Sequence, residues 1–294
     1  MYGAERGAVQ GVTRTLLLDA DLLAYKATAA NQRVYDWAGN GERSVAADEA
    51  EAQRQADDEI VRLADKLKAD NVIVCLSDDI NSFRKDRIDP TYKAARANTE
   101  RPVHLYDLKD YLFDTYESVR WTALEADDVM GIIATDPNRT DERIIVSADK
   151  DLMSVPGTLF RPATDARKEE LHEITLEQAD RFHLYQTIVG DIVDGYPGLP
   201  GAGPVAAEKL LFGQGWDYTR RILKSGPRKG QEIGEWTVSF YHRPWHAIVS
   251  AYERQGLTED DAIKQARLAR ILRFDEWDGR SPKLWSPNTL GDQP

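Results

Sequence analysis

RIIVSADKD, Arg143 to Asp151, carries the pattern that sets the fold: an apolar run that stops at one aspartate, with a second aspartate two residues on. The same design occurs twice before it, as TLLLD at Thr15–Asp19 and as NVIVCLSD at Asn71–Asp78. Continuous apolar runs of this length suit strands buried on both faces, as in a parallel sheet. Helical segments lie between them. Ile60, Val61, Leu63, Ala64 and Leu67 recur at helical spacing, and Leu105, Leu108, Leu112 and Tyr116 do so ahead of Val119–Trp121. Glu125–Thr135 (EADDVMGIIAT) opens with acids, which favour a helix N-terminus, and then turns apolar. Strand–helix alternation predicts an α/β core over residues 1–174.

Residues 175–294 read as mainly helical, a subdivision of one enzyme body. Thr175 and Gln178 fit a capping box. Trp245–Gln255 and Asp260–Arg273 have helical periodicity, and KSGPRKGQE (Lys224–Glu232) reads as a loop. The acidic run Asp48–Glu59 reads as a solvated helix face. Cys75, the one cysteine, excludes an internal disulfide and reads as buried core. The five histidines form no HExxH and read as surface or packing residues.

The formal charge of −12 argues against a polyanionic partner, but its distribution does not. Arg84–Arg101 carries +3 and Val205–Gly230 carries +4, two basic islands in an acidic chain. MYGAERGAVQGVTRT is too polar for a signal peptide, and no apolar run approaches the ~20 residues of a membrane span. The expectation is a cytoplasmic protein without a membrane partner.

One strand-end aspartate is ordinary, because Asp caps a helix or starts a turn. Here Asp19, Asp78 and Asp149 stand at three strand ends, where open parallel sheets gather their ligands. Asp149 and Asp151 would share a side if extended, and Asp191 and Asp194 a face if helical. Glu125 and Asp128 share a helix face, so Asp127 joins them only if Glu125 lies in or before the first turn. Close carboxylates repel, and divalent cations resolve that repulsion. The pool of Asp19, Asp78, Glu125, Asp127, Asp128, Asp149, Asp151, Asp191 and Asp194 could hold two ions suited to phosphodiester hydrolysis. No phosphate loop, dinucleotide fingerprint, GxSxG elbow or EF-hand competes.

LLLDADLLAY, EADDVMG, SADKDL and GDIVDGYPGLPGAG stand in the order of the flap endonuclease and 5′→3′ exonuclease superfamily, which the chain resembles from about Leu16 to beyond Phe274. FRKDRIDPTYKAARA, LYQTIVGDIVDGY, LKSGPRKGQE and ARILRF resemble its short-tailed-phage branch. The resemblance implies a PIN-like flap-nuclease core with a mainly parallel sheet flanked by helices, and a helix–turn–helix-type duplex clamp near residues 188–212. It implies two Mg²⁺ ions, with Mn²⁺ as a substitute, and a monovalent cation such as K⁺ at the clamp. Asp19, Asp78, Glu125, Asp127 and Asp149 match the acids of a first ion; Asp151, Asp191 and Asp194 match those of a second. Asp128 lies in the acid motif without an assigned mode, and Asp79 is an alternative to Asp78 in another register.

Residues 79–101 match an arch near the 5′ end of the substrate. Arg84 and Lys93 are the expected catalytic cations, Lys85 and Arg96 further DNA contacts, and Tyr92 a base-stacking platform. Gly198, Gly201 and Gly203 permit close backbone approach to duplex phosphate. Pro204 stands where many relatives carry a basic or small polar residue, with Lys209 as a compensating cation. The expected function is a metal-dependent 5′→3′ exonuclease on duplex DNA that also removes RNA from RNA–DNA hybrids. Its setting would be phage replication or recombination, with phage replication proteins as partners. A 5′-flap endonuclease or related ribonuclease is the alternative, and a non-catalytic clamp a third reading.

Overall fold

The computed structural model describes residues 12–35 and 44–287. Residues 1–11, which include most of the polar N-terminal stretch, and 288–294 lie outside the described residues. In chain order the first part runs β1 (Arg14–Asp19), α1 (Ala20–Ala30), β2 (Gln32–Tyr35), β3 (Ser44–Ala47), α2 (Glu49–Leu67), β4 (Asn71–Leu76), α3 (Phe83–Arg87), α4 (Leu105–Thr115), β5 (Ser118–Arg120), α5 (Ala126–Ala134), β6 (Glu142–Val146), β7 (Gly157–Arg161) and β8 (Glu170–Ile174). The second part runs α6 (Leu176–Val189), α7 (Pro204–Leu211), β9 (Gln214–Ile222), β10 (Glu232–Phe240), α8 (Pro244–Arg254) and α9 (Glu259–Ala269).

The three apolar runs are the three adjacent central strands. The sheet order is β5-β4-β1-β6-β7-β8, parallel except for β8, which pairs antiparallel with β7. Alternate residues face opposite layers. Leu16, Leu18, Val74, Leu76, Ile144 and Val146 pack beneath α1, α2 and α4. Leu17, Ile73, Cys75 and Ile145 pack against Val129, Met130, Ile132 and Ile133 of α5. Both layers are covered, which is why these strands read as unbroken apolar runs; each fully buried Leu or Ile contributes about 1.5–3 kcal/mol. β1 leads outward to β4 and β5, and the chain then returns to place β6 on the other flank of β1. The order therefore reverses between β1 and β6, and the crevice outside their carboxyl ends is where an open α/β sheet takes its ligand.

Thr175 and Gln178 form the expected capping box at the start of α6: the Gln178 N–H donates to Thr175 Oγ1 (3.1 Å) and the Thr175 N–H to Gln178 Oε1 (2.9 Å). Helices α6–α9 share a separate apolar cluster of Ile188, Leu210, Ile248, Tyr252 and Ala266. His183 is buried there, its Nε2 at 2.8 Å from the Ala266 carbonyl, so it packs as expected. The helical reading of the second part missed one element. β9 and β10, nine residues each, form an antiparallel hairpin, and the expected loop is its tip except for Glu232, which opens β10. Its period-2 signal was present, with Trp216, Tyr218 and Ile222 on one strand and Trp236, Val238 and Phe240 on the other. No helix among the described residues is long and apolar enough to cross a membrane.

Candidate active site

Asp19 ends β1 and caps α1, its Oδ1 accepting the Leu22 N–H at 3.0 Å. Its Oδ2 accepts the Ser147 hydroxyl at 2.6 Å, and the Asp149 N–H donates to the same Ser147 Oγ at 3.1 Å. Ser147 thus stitches the ends of β1 and β6 across the switch point. Asp127 enters from the first turn of α5, which is pinned by the Ala126 N–H donating to Ser77 Oγ (2.9 Å). Burial, together with the charges of Asp21 and Asp149, pushes the Asp19 carboxyl up to about 6. Burial and the charges of Asp149 and Asp19 push Asp127 well above the usual carboxylate range. These acids crowd one another, and a divalent cation would relieve their repulsion. All the donors are hard oxygens, so the set fits a Mg²⁺-like ion.

Glu125 is the N-cap of α5, which allows Glu125 and Asp127 to face one cleft. Lys93 Nζ donates to Glu125 Oε2 at 2.8 Å and lies 3.6 Å from Asp194 Oδ2. Burial would raise Glu125, but Lys93 and Arg84 outweigh it and hold the carboxyl at about 2. Asp151 opens a single 3₁₀ turn after β6, its N–H bound to Asp149 Oδ1 at 2.8 Å. Asp151 is raised by burial and by Asp149. Lys150 Nζ bridges Asp151 (2.9 Å) and Asp191 (3.3 Å). Asp191 and Asp194 lie on a turn rather than a helix, with the Val193 N–H on Asp191 Oδ1 (2.9 Å) and the exposed Ile192 and Val193 between them. Asp194 pairs with Arg96. Burial raises Asp194 in spite of Lys93 and Arg96. The resulting cleft encloses about 840 Å³ and is lined by Asp19, Asp127, Asp149, Asp151, Asp194 and Lys93, among others.

Several expectations need correction. Asp128 is fully buried and bidentate to Arg84 (2.6 and 2.8 Å); it also accepts the N–H groups of Leu272 (3.1 Å) and Glu125 (3.2 Å), which leaves no oxygen for an ion. Arg84 is correspondingly buried, donating also to the carbonyls of Leu268 and Arg270, so its guanidinium is a structural tie and not a free phosphate ligand. Asp78 accepts from the N–H groups of Ile80 (3.0 Å), Asn81 (3.2 Å) and Ala123 (2.9 Å) and from Asn81 Nδ2 (2.9 Å), which fills its acceptor sites. Burial opposes its ionisation, yet these bonds hold Asp78 at about 2. Asp79, the other register, pairs with Lys109 (2.5 Å). Tyr92 is only 2% exposed, with its hydroxyl 3.3 Å from Glu125 Oε2, so its ring offers no face to a base.

Lys85 lines the cleft and is exposed, and Arg96 is exposed beside Asp194. Sequence reasoning missed Ser147, Lys150, Asp21 and Lys109. Asp21 follows Asp19 by two residues and was legible, whereas the buried Lys109 that pairs with both Asp21 (2.8 Å) and Asp79 was not.

On either side of Asp191 and Asp194, Gly190 and Gly198 take φ of +72° and +69° and touch each other. A Cβ on Gly198 would come within 2.5 Å of the Gly190 nitrogen. The Gly198 N–H donates to Gln265 Oε1 of α9 at 2.9 Å, so Gly198 packs the fold instead of meeting a phosphate. Gly201 and Gly203 face open space, Gly203 caps α7, and Pro204 is its first residue as expected. Lys209 is exposed but sits on the last turn of α7, about 8 Å along the axis from Pro204. It therefore does not compensate at the helix start. A tighter group, Glu49, His104 and Asp107, has ligand atoms within 4.8 Å of one another but does not line the cleft. It stands at the N-termini of α2 and α4, where the helix dipoles oppose a cation.

A family model described as the 5'-3' exonuclease N-terminal resolvase-like domain matches residues 14–178. The exonuclease of Escherichia phage T7 is 35% identical over 287 residues, covering 92% of this chain and 93% of that protein. The exodeoxyribonuclease of Enterobacteria phage T3 is 34% identical over 289 residues, 93% of each chain. Among solved structures, the flap endonuclease of bacteriophage T5, in a pseudo-enzyme–product complex with DNA and metal ions, aligns with a TM-score of 0.51 at 18% identity. That alignment covers 67% of this chain and 74% of the T5 protein. The likeness is one of fold: a mainly parallel sheet flanked by helices, the PIN-like flap-nuclease architecture.

Proposed function

The chain belongs to the 5′–3′ exonuclease family and is a 5′–3′ exonuclease, and from that premise we propose its substrate, metal set and catalytic groups. The substrate is duplex DNA, cut near its 5′ end, and RNA in RNA–DNA hybrids, within phage replication or recombination. Two Mg²⁺ ions, replaceable by Mn²⁺, serve the reaction. Asp19, Glu125, Asp127 and Asp149 hold one, and Asp151, Asp191 and Asp194 the other. The observation that carries this reading is the meeting of Asp19, Asp127 and Asp149 in one cleft, where burial first and the charges of neighbouring acids second raise Asp19 and Asp127. The metal ions and DNA in the structure of the T5 relative support it.

Divalent ions bound there would supply charge neutralisation for a phosphodiester and a more acidic water. The protein's own groups do the rest. Ser147 fixes the orientation of Asp19 and the loop bearing Asp149. Lys93 keeps Glu125 ionised and stands between the two acid groups, where it can bind a non-bridging phosphate oxygen as charge accumulates. The N–H groups at the start of α7, preceded by the open Gly201 and Gly203, position duplex phosphate, with a monovalent cation on the preceding turn. A time course on 5′- and 3′-labelled duplex, with Mg²⁺ or with EDTA, tests the reading. Short 5′-terminal products that require the metal are expected. Release from the 3′ end, or cutting in EDTA, refutes it, and cutting confined to 5′-flaps gives the flap endonuclease alternative.

A further inference from the structure

The β9–β10 hairpin leaves the body. Its base is fixed on α8: a Cβ on Gly215 would lie 2.9 Å from Ala247 Cα, and the Trp216 N–H donates to Ser250 Oγ at 3.0 Å. Beyond that point the side chains are mostly exposed as far as the tip. From Trp216 to Ile222 the ribbon extends about 20 Å past its base. Between Asp217 and Glu232 the chain carries five cations and no acid, in a protein of net charge −12. Arg220 and Arg221 face Glu232 (3.6 Å) and Glu235 (3.2 Å) across the ribbon, in exposed pairs of little strength. Lys224, Arg228 and Lys229 pair with no carboxylate among the described residues. They sit on a tip closed by the Gly230 N–H on the Leu223 carbonyl (2.8 Å).

We infer that this ribbon is a second duplex-DNA contact, separate from the cleft, with Lys224, Arg228 and Lys229 meeting backbone phosphates. The inference rests on the nuclease reading above and adds a surface to it. An acidic protein that binds a polyanion must concentrate its positive charge on the surfaces that touch it. A two-stranded β-ribbon fits the major groove, and duplex DNA presents one charge per ~1.7 Å, so a 20 Å arm lies beside several phosphates. Only Phe212 and Gly213 separate the ribbon from α7, so the helix start proposed to hold phosphate and the basic tip belong to one continuous piece.

The test is equilibrium binding of an end-labelled duplex of about 30 base pairs, in EDTA to prevent cutting, over a salt series. Each phosphate contact adds about 0.9 to the slope of log affinity against log salt. For Lys224→Gln, Arg228→Gln and Lys229→Gln combined, the slope is expected to fall by about 2 to 3 and the affinity by about tenfold or more. Changing Lys224 and Lys229 to Arg should restore both, which separates lost charge from a damaged hairpin. A combined variant with unchanged slope and affinity overturns the inference. So does a defect seen only in self-association, which would make the ribbon a protein surface. Wild-type protein is assayed on the same duplex with Mg²⁺. If it cuts while the slope stays unchanged, the ribbon inference alone fails; if it does not cut, the fault lies in the nuclease reading.

Discussion

Replacing Asp19 by Asn should have opposite effects on activity and on the stability of the metal-free fold. In the folded protein the Asp19 carboxyl is raised from 3.8 to about 6, chiefly by burial. The folded state therefore keeps a proton that the unfolded chain gives up between about pH 4 and pH 6. Stability falls as pH rises through that window, and the loss is complete above it. At about 1.4 kcal/mol per unit, a rise of some two units corresponds to about 3 kcal/mol. Asn keeps an oxygen for the Leu22 N–H and an amide for Ser147 Oγ, so the change removes the charge with little loss of hydrogen bonding. Urea unfolding in EDTA should show Asp19→Asn more stable than wild type by about 1–3 kcal/mol at pH 7.5 and near parity at pH 4. Added Mg²⁺ should raise the wild-type Tm at pH 7.5 and move the variant less. A variant less stable than wild type at pH 7.5 in EDTA, or a gap independent of pH, would refute the picture of a carboxylate held without its counter-ion.

Three further outcomes are expected. Arg84→Ala leaves Asp128 buried and unpaired and should cost about 3–5 kcal/mol in denaturant unfolding, with activity falling along with folded protein; a stable variant with a slow chemical step would return Arg84 to the cleft. Lys93→Ala should slow single-turnover cleavage by about 10²-fold or more at unchanged fold, with Lys93→Arg partly restoring it, and a wild-type rate would remove Lys93 from the mechanism. Gly198→Ala forces an L side chain into positive φ against the Gly190 backbone and should lower stability by about 2 kcal/mol or more, read as a fall in Tm.

The strand-end aspartates were legible because a two-sided parallel sheet prints its central strands as apolar runs, and the switch point gave Asp19 and Asp149 a shared crevice. Glu125 was legible as the residue that had to precede its helix. Spacing could not separate Asp127 from Asp128: both belong to one motif, but Asp127 faces the cleft while Asp128 turns back to Arg84. Asp78 looked like a third site acid because a carboxylate that builds a turn and one that awaits a cation have the same letter and the same place after a strand. The hairpin escaped although its large apolar residues alternate on both strands, because Arg220 interrupts the first stripe and the distal half is exposed, so the alternation belongs to no buried run.

The Arg84–Asp128 tie is completed by Leu268, Arg270 and Leu272, which lie 140 to 144 residues downstream of Asp128. During synthesis the sheet and α5 emerge long before the segment that closes over them. Until residue 272 has left the ribosome, the buried pair lacks its full set of backbone partners. The nascent chain thus carries its acids in sequence order well before residues 268–272 can close over the buried pair.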